Sequence, residues 1–131
     1  MIFLDTSAIY ALADRRDPRH AAARAHFETL LSDGETLLTH NYVLVESLAL
    51  VQHRLGSEAA VKLARSASGF DVVWIDSSLH EEAVRVFARS SRRRVSFVDE
   101  VSFLVMKSRS VDIAFAFDPD FVDRGFRLLG A

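Results

Sequence analysis

Residues 1–14 read MIFLDTSAIYALAD, and this stretch decides the fold that we predict for the chain. An uncharged run, Met1–Leu4, ends at Asp5, and a segment of helix-forming residues follows it. A short apolar run bounded in this way predicts a buried strand, followed by a helix over residues 6–13. Asp5 then lies at the carboxyl end of the strand, where an aspartate serves either as a helix N-cap or as part of a ligand site.

The rest of the chain repeats this order of strand and helix. Further strands are predicted at 36–39, 70–75, 112–117 and 126–129, and further helices at 18–32, 41–55, 57–68, 78–90 and 96–108. Parallel strands need crossover connections, and intervening helices supply them. The pattern predicts an α/β fold with a mainly parallel central sheet of four to five strands, flanked by helices on both faces. No repeat or linker-like tract divides the sequence, so residues 1–131 are predicted to form a single domain.

The composition excludes several kinds of site. Without cysteine the chain has no thiolate metal site, no disulfide and no thiol nucleophile, which fits a reducing cytoplasm. No apolar run approaches the roughly 20 residues of a membrane span, and the first residues lack the pattern of a secretory signal. We therefore expect a cytoplasmic protein without a membrane contact. The net charge of −2 does not by itself indicate a nucleic-acid partner.

Glu46 lies in the apolar segment NYVLVESLALV, residues 41–51. On a helix, its neighbours three and four positions away are all apolar or aromatic, which predicts that its carboxylate lies in a buried stripe. A buried carboxylate without a counter-charge is strongly unfavourable. Glu46 is therefore interpreted as a functional group, as one partner of a structural ion pair with an arginine, or as an exposed residue on a helix that is otherwise covered.

Two further acids occupy comparable places. Asp118 ends the predicted strand 112–117, and Asp99 lies in SFVDEV near the start of the predicted helix 96–108. Asp99 also completes a capping box with Ser96, which is a purely structural alternative. Together with Asp5 and Glu46, these acids can converge at one end of a sheet. Crowded carboxylates repel one another unless they are protonated or bridged by cations, and an oxygen-only ligand set favours Mg²⁺ or Mn²⁺ over zinc.

Four segments resemble the acidic blocks of PIN-domain nucleases, in the same order along the chain. They are FLDTSAIYALAD, LLTHNYVLVES, VSFVDEVSFLVM and FAFDPDF. The compact form resembles the VapC-type toxins of bacterial and archaeal toxin–antitoxin pairs. The resemblance implies a PIN-like domain whose catalytic and metal-binding acids are Asp5, Glu46, Asp99 and Asp118.

The resemblance also implies accessory residues. Asp120 matches a further acidic, metal-binding position, and Thr6 and Ser7 match small hydroxyl residues that orient the first acid or contact the substrate. The family often has Thr or Ser two residues before its last acid, whereas this chain has Ala116. Three arginines precede the predicted helix 96–108, namely Arg92, Arg93 and Arg94. They are expected to contact the substrate by clamping phosphate, unless they form a solvated loop.

The activity implied by the resemblance is metal-dependent cleavage of RNA phosphodiester bonds by a ribonuclease toxin. A cognate VapB-type antitoxin and a homodimer are the implied partners. A group formed by Ala59, Val61, Leu63 and Trp74 would support the dimer, although core packing explains these residues equally well.

Two other functions stay open on the sequence. The first is a catalytically weak, RNA-binding PIN-like module, which Ala116 makes conceivable. The second is a Mg²⁺-dependent phosphoacceptor domain of the receiver type. Receiver domains need paired acids at the first strand end and a lysine closing the pocket, whereas Thr6 follows Asp5 and no lysine ends a strand.

Overall fold

The computed structural model describes residues 1–90 and 95–129. Its strands are β1 Ile2–Leu4, β2 Leu37–His40, β3 Asp71–Val73, β4 Ile113–Phe115 and β5 Arg127–Leu128. Its helices are α1 Thr6–Ala13, α2 His20–Ser32, α3 Asn41–Leu55, α4 Ser57–Ser66, α5 Ser77–Arg89, α6 Phe97–Ser108 and α7 Asp120–Asp123. None of the helices in the described ranges is both long and apolar enough to cross a bilayer.

The five strands form one sheet in the order β3-β2-β1-β4-β5, and every neighbouring pair is parallel. From β1 the chain moves outward to β2 and β3, crosses back to the other side of β1 at β4, and continues to β5. Crossovers between parallel strands are right-handed, so this reversal places the helices before β3 and those between β3 and β4 on opposite faces. The predicted α/β fold with a parallel central sheet is confirmed.

The reversal makes β1 and β4 neighbours at the centre of the sheet. Phe3 pairs with Ala114 and Leu4 with Phe115, so the two strands end side by side. In open parallel sheets a crevice forms outside the carboxyl ends of strands at such a reversal. The residues that follow these two strands are therefore brought to one crevice.

The short helix α7, which the sequence pattern did not predict, is held by aromatic packing. The ring of Phe121 lies 6.2 Å from that of Phe3 in β1 and 5.0 Å from that of Phe103 in α6. Phe121 and Phe3 are fully buried. A four-residue helix is too short to show a helical period, and this explains why the pattern missed it.

His40 caps the N-terminus of α3 and ties this helix to α6. Its Nδ1 accepts a hydrogen bond from the Val43 backbone N–H at 3.3 Å, and its Nε2 lies 2.9 Å from Ser102 Oγ. Because Ser102 Oγ donates its own hydrogen to the Val98 carbonyl, the proton of the ring lies on Nε2. Burial lowers the pKa of His40 to about 4, so the ring is neutral near pH 7.

Two helices differ from their predicted bounds by two residues at one end. The helix predicted from Pro18 begins at His20, because Asp17 closes a separate turn in which its Oδ1 accepts the Arg19 backbone N–H at 2.8 Å. The helix predicted to reach residue 68 ends at Ser66, and a 3₁₀ turn, Ala67–Gly69, follows it.

Candidate active site

Asp5 follows β1 directly and caps helix α1. Its Oδ2 accepts hydrogen bonds from the Ser7 backbone N–H at 3.1 Å and from Ser7 Oγ at 2.7 Å. Only 4% of Asp5 is exposed, and this burial raises the pKa of its carboxyl group above 3.8 despite the hydrogen bonds from Ser7. Capping thus does not account for Asp5 completely, because a neutral cap such as serine or asparagine would avoid the cost of burying a charge.

Ser7 joins the end of β1 to the segment that follows β4. Its Oγ donates to Asp5 and accepts a hydrogen bond from the Phe117 backbone N–H at 2.9 Å. The Asp5 backbone N–H also donates to the Phe115 carbonyl at 3.1 Å. These bonds hold the carboxylate of Asp5 against the chain segment that leads into Asp118.

Three other carboxylates form a compact group. One oxygen from each of Asp99, Asp118 and Asp120 lies within 4.8 Å of the others. The Asp120 backbone N–H donates to Asp118 Oδ1 at 2.9 Å, which fixes the two acids relative to each other across Pro119. Asp120 is buried, whereas Asp99 and Asp118 are half-buried. The donor set consists of oxygens at a spacing that suits a hard divalent cation.

Asp99 belongs to a capping box and to this acidic group at once. The Ser96 Oγ accepts the Asp99 backbone N–H at 3.1 Å, and a return bond from the Ser96 backbone lowers the pKa of Asp99. Nevertheless, burial and the negative charges of Asp5 and Asp118 raise the pKa of Asp99 to about 7. The structural and functional interpretations of Asp99 are therefore compatible.

Glu46 is exposed, so the prediction of a buried stripe around it was wrong. The buried face of α3 carries Val43, Ser47 and Val51, and Glu46 lies one position away from it. Successive residues on a helix are rotated by about 100°, and a shift of one position turns a side chain off the core. Burial is the main cause of the raised pKa of both Asp5 and Asp99, and the negative charge of Glu46 adds to it.

A buried ion pair that the sequence pattern did not predict lies beside these acids. Glu100, which is 1% exposed, accepts two hydrogen bonds from Arg124 at 2.5 and 2.9 Å. The guanidinium of Arg124 also lies 4.9 Å from the centre of the Phe103 ring. The pair joins α6, which carries Asp99, to the end of α7. The sequence does contain a signal for the burial of Glu100, because this residue lies among apolar residues in FVDEVSFLVM, as Glu46 does in its own segment.

The structure thus brings Asp99, Asp118 and Asp120 together, and the charges of Asp5 and Glu46 act on Asp99 in this group. Of the hydroxyl residues, Ser7 binds Asp5, whereas Thr6 Oγ1 is buried and has no hydrogen-bond partner among the described residues. Ala116 is buried, and the neighbouring backbone N–H of residue 117 is bonded by Ser7. The catalytic and metal-binding roles of these residues stay predictions. The predicted phosphate clamp, Arg92, Arg93 and Arg94, lies outside the described residues.

Divalent-metal binding is expected to depend on pH through Asp99. With a pKa of about 7 in the metal-free folded state and 3.8 ordinarily, Asp99 keeps a proton that the unfolded chain loses between these values. The metal-free protein therefore loses stability as the pH rises through this window, and a cation reverses the loss by favouring the ionised form. We expect Mn²⁺ to raise the melting temperature more at pH 8 than at pH 6.

The measurement is thermal unfolding with Mn²⁺ or with chelator at each pH. Subtracting the metal-free from the metal-loaded value at one pH cancels the titration of buried His40. The Asp99→Asn variant is the control, and it should show a smaller metal effect with a weaker pH dependence. An equal rise in melting temperature at both pH values in the unmodified chain would contradict the expectation.

The chain is similar to known ribonucleases over most of its length. Residues 2–127 match the PIN domain family. The chain is 38% identical over 128 residues to the 23S rRNA-specific endonuclease VapC20 of Mycobacterium tuberculosis, covering 96% of this chain and 95% of that protein. It is 26% identical over 106 residues to ribonuclease VapC26 of the same organism, covering 79% of this chain and 76% of that protein.

Solved structures agree with these sequence matches. The crystal structure of Mycobacterium tuberculosis VapC20, described as a sarcin–ricin loop cleaving toxin, superposes with a TM-score of 0.84 at 36% identity and covers 96% of each chain. A protein of Pyrobaculum aerophilum superposes with a TM-score of 0.66 at 24% identity, covering 98% of this chain and 88% of its own, and supports the fold alone. The receiver-type alternative finds no support in these matches.

Proposed function

The chain belongs to the PIN-domain family, and we propose that it is a metal-dependent endoribonuclease acting as the toxin of a toxin–antitoxin pair. The observation that carries the proposal is the acidic group of Asp99, Asp118 and Asp120, with Asp5 beside it, in a chain 38% identical to an rRNA endonuclease. Asp5, Asp99 and Asp118, together with Glu46, resemble the acids of the family's four blocks.

The acidic group fits a divalent cation. Asp99, Asp118 and Asp120 offer oxygens within 4.8 Å of one another, and Asp5 and Glu46 add negative charge close by. Without sulfur ligands, the donor chemistry favours Mg²⁺ or Mn²⁺. When bound, such an ion would activate water for in-line attack and offset charge on the phosphate.

The residues of the chain then supply position and proton transfer. Ser7 holds the Asp5 carboxylate through Oγ, and the turn at Pro119 holds Asp118 against Asp120. An ionised carboxylate of this group accepts the proton of the attacking water. Asp99 is half-buried, and the partial exclusion of bulk solvent strengthens the charge interactions of its carboxylate.

The first substrate to test is 23S rRNA, because it is the RNA in the name of the relative VapC20. Purified ribosomes and deproteinised RNA are incubated with the protein in Mg²⁺, in Mn²⁺ or in chelator, and the 5′ ends of the fragments are mapped. We expect discrete cuts that depend on the cation and return when it is restored. Cutting that persists in chelator would refute the metal dependence, and RNA affinity without any cutting would favour a binding module.

We further propose a cytoplasmic protein that forms a homodimer and is inhibited by a VapB-type antitoxin. The dimer is supported by an apolar surface on which Trp74 is 73% and Val61 48% exposed. Leu48 and Ala64 line the two adjoining grooves between these residues and make the surface continuous. Sedimentation equilibrium of the full chain and of Trp74→Glu tests this, since the variant should be monomeric at a concentration where the parent is dimeric.

A further inference from the structure

An exposed arginine lies over the aromatic ring of the residue that precedes Asp118. The guanidinium carbon of Arg19 lies 5.2 Å from the centre of the Phe117 ring. Phe117 directly precedes Asp118, and its backbone N–H is bonded by the Ser7 that also binds Asp5. Arg19 is exposed, whereas the ring beneath it is half-buried. The guanidinium of Arg19 thus lies on the ring of a residue whose backbone is hydrogen-bonded to the site.

The guanidinium of Arg19 differs from the other two that lie over aromatic rings in the described part of the chain. The guanidinium of Arg124 lies over Phe103 and donates two hydrogen bonds to the buried carboxylate of Glu100. Arg54 lies over Tyr10, and its hydrogen bond to the phenol opposes the rise in the Tyr10 pKa that the bond to Asp14 causes. The guanidinium of Arg19 makes neither an ion pair nor a hydrogen bond with any residue in 1–90 or 95–129, so its donors remain available.

Stability does not explain the position of Arg19. It directly precedes α2, where the partial positive charge of the helix disfavours a cation. A cation–π contact at an exposed site is favourable. The two contributions are of opposite sign and similar size. Stacking does, however, fix the plane of the guanidinium without using any of its N–H groups.

We propose that Arg19 binds a phosphate of the RNA strand adjacent to the scissile one, with Phe117 as the platform that orients its guanidinium. This inference rests on the proposed ribonuclease function. A planar fork of donors suits two phosphate oxygens, and a contact of this kind positions the strand without reading its sequence. The crevice is acidic, so a cation at its rim also offsets the repulsion of the RNA backbone.

The test separates binding from cleavage. A fluorescein-labelled stem–loop copied from the sarcin–ricin region of 23S rRNA is titrated with Asp5→Asn protein in Mg²⁺, with and without Arg19→Ala. We expect Arg19→Ala to weaken binding about tenfold and to reduce the slope of log affinity against log salt by about 0.7–1. Arg19→Lys, which keeps the charge but loses the planar fork, should fall between the two.

Arg24→Ala is the matched control. It likewise removes one arginine charge, five residues further along the chain and inside α2, but Arg24 is exposed and paired with Glu28 at 3.0 Å. It should leave the affinity and the salt slope unchanged. In the protein with Asp5 intact, Arg19→Ala should raise KM for RNA cleavage about tenfold and change kcat by less than about twofold.

Equal affinities for Arg19→Ala and Arg24→Ala would overturn the inference, as would a fall in kcat with KM unchanged. The binding arm does not need cleavage. A protein that binds RNA through Arg19 without cutting it would therefore refute the nuclease function and still support the phosphate contact.

Discussion

Replacing Asp5 by asparagine is expected to slow RNA cleavage by about 100- to 1,000-fold and to leave the fold intact. The change removes one negative charge from the acidic group, and losses of this order follow when a single electrostatic group is removed from a catalytic site. Asparagine keeps the side-chain oxygen that accepts the two hydrogen bonds from Ser7, and it is as good an N-cap as aspartate. The catalytic loss therefore arises from charge and not from unfolding.

The same variant is expected to be at least as stable as the parent protein when no metal is present. Burial and the charge of Glu46 raise the pKa of Asp5, which means that the ionised carboxylate is unfavourable in the metal-free fold. A neutral amide removes this cost. Replacing a functional carboxylate lowers activity without lowering stability, whereas replacing a structural carboxylate would lower both.

Cleavage rates in Mg²⁺ and thermal unfolding in chelator measure the two effects. Asp112→Asn is the control, because Asp112 is exposed at the opposite end of the β4 segment and should change neither quantity. A variant at position 5 that cleaves RNA within about threefold of the parent would refute the assignment of Asp5. A variant that loses both activity and stability would show that the carboxylate is structural.

Arg124→Met is expected to lower the free energy of unfolding by about 3–5 kcal/mol at pH 8, a larger loss than Glu100→Gln causes. The asymmetry follows from burial. Without Arg124, the carboxylate of Glu100 remains in a site that is 1% exposed and has lost its counter-charge. Without the charge of Glu100, Arg124 still reaches solvent through the 23% of its side chain that is exposed, so we expect a loss of about 1–2 kcal/mol.

Urea unfolding of both single variants at pH 8 measures the two losses. The double variant Glu100→Met/Arg124→Met is the control and should recover part of the stability at pH 8, since neither buried charge remains. Arg124→Met being as stable as Glu100→Gln at pH 8 would contradict the proposed role of burial.

The local features of the site were readable in the sequence, because they depend on near neighbours. Asp5 and Asp118 follow apolar strands, and Ser96 with Asp99 forms the predicted capping box. The environment of Glu46 could not be predicted, because an apolar helical segment does not show which of its faces packs against the core. In the structure, Val43 of α3 is buried and Glu46 is exposed.

The long-range contacts were equally inaccessible to sequence reasoning. The Glu100–Arg124 pair joins residues 24 positions apart, and the bond from Phe117 to Ser7 spans 110 positions. No periodicity extends over such distances. The platform of Arg19 on Phe117 likewise requires the start of α2 to lie against the end of the β4 segment, which only packing can bring about.

By itself, the sequence determined that this protein has alternating strands and helices and that acids stand where elements begin or end. These properties follow from residue type and local period, which act within a few positions. The tertiary structure decided that β4 lies beside β1, and thereby that Asp5 and Asp118 share a crevice to which α6 and α7 add Asp99 and Asp120. Strand order depends on how helices of both faces pack together, and that is a property of the whole chain.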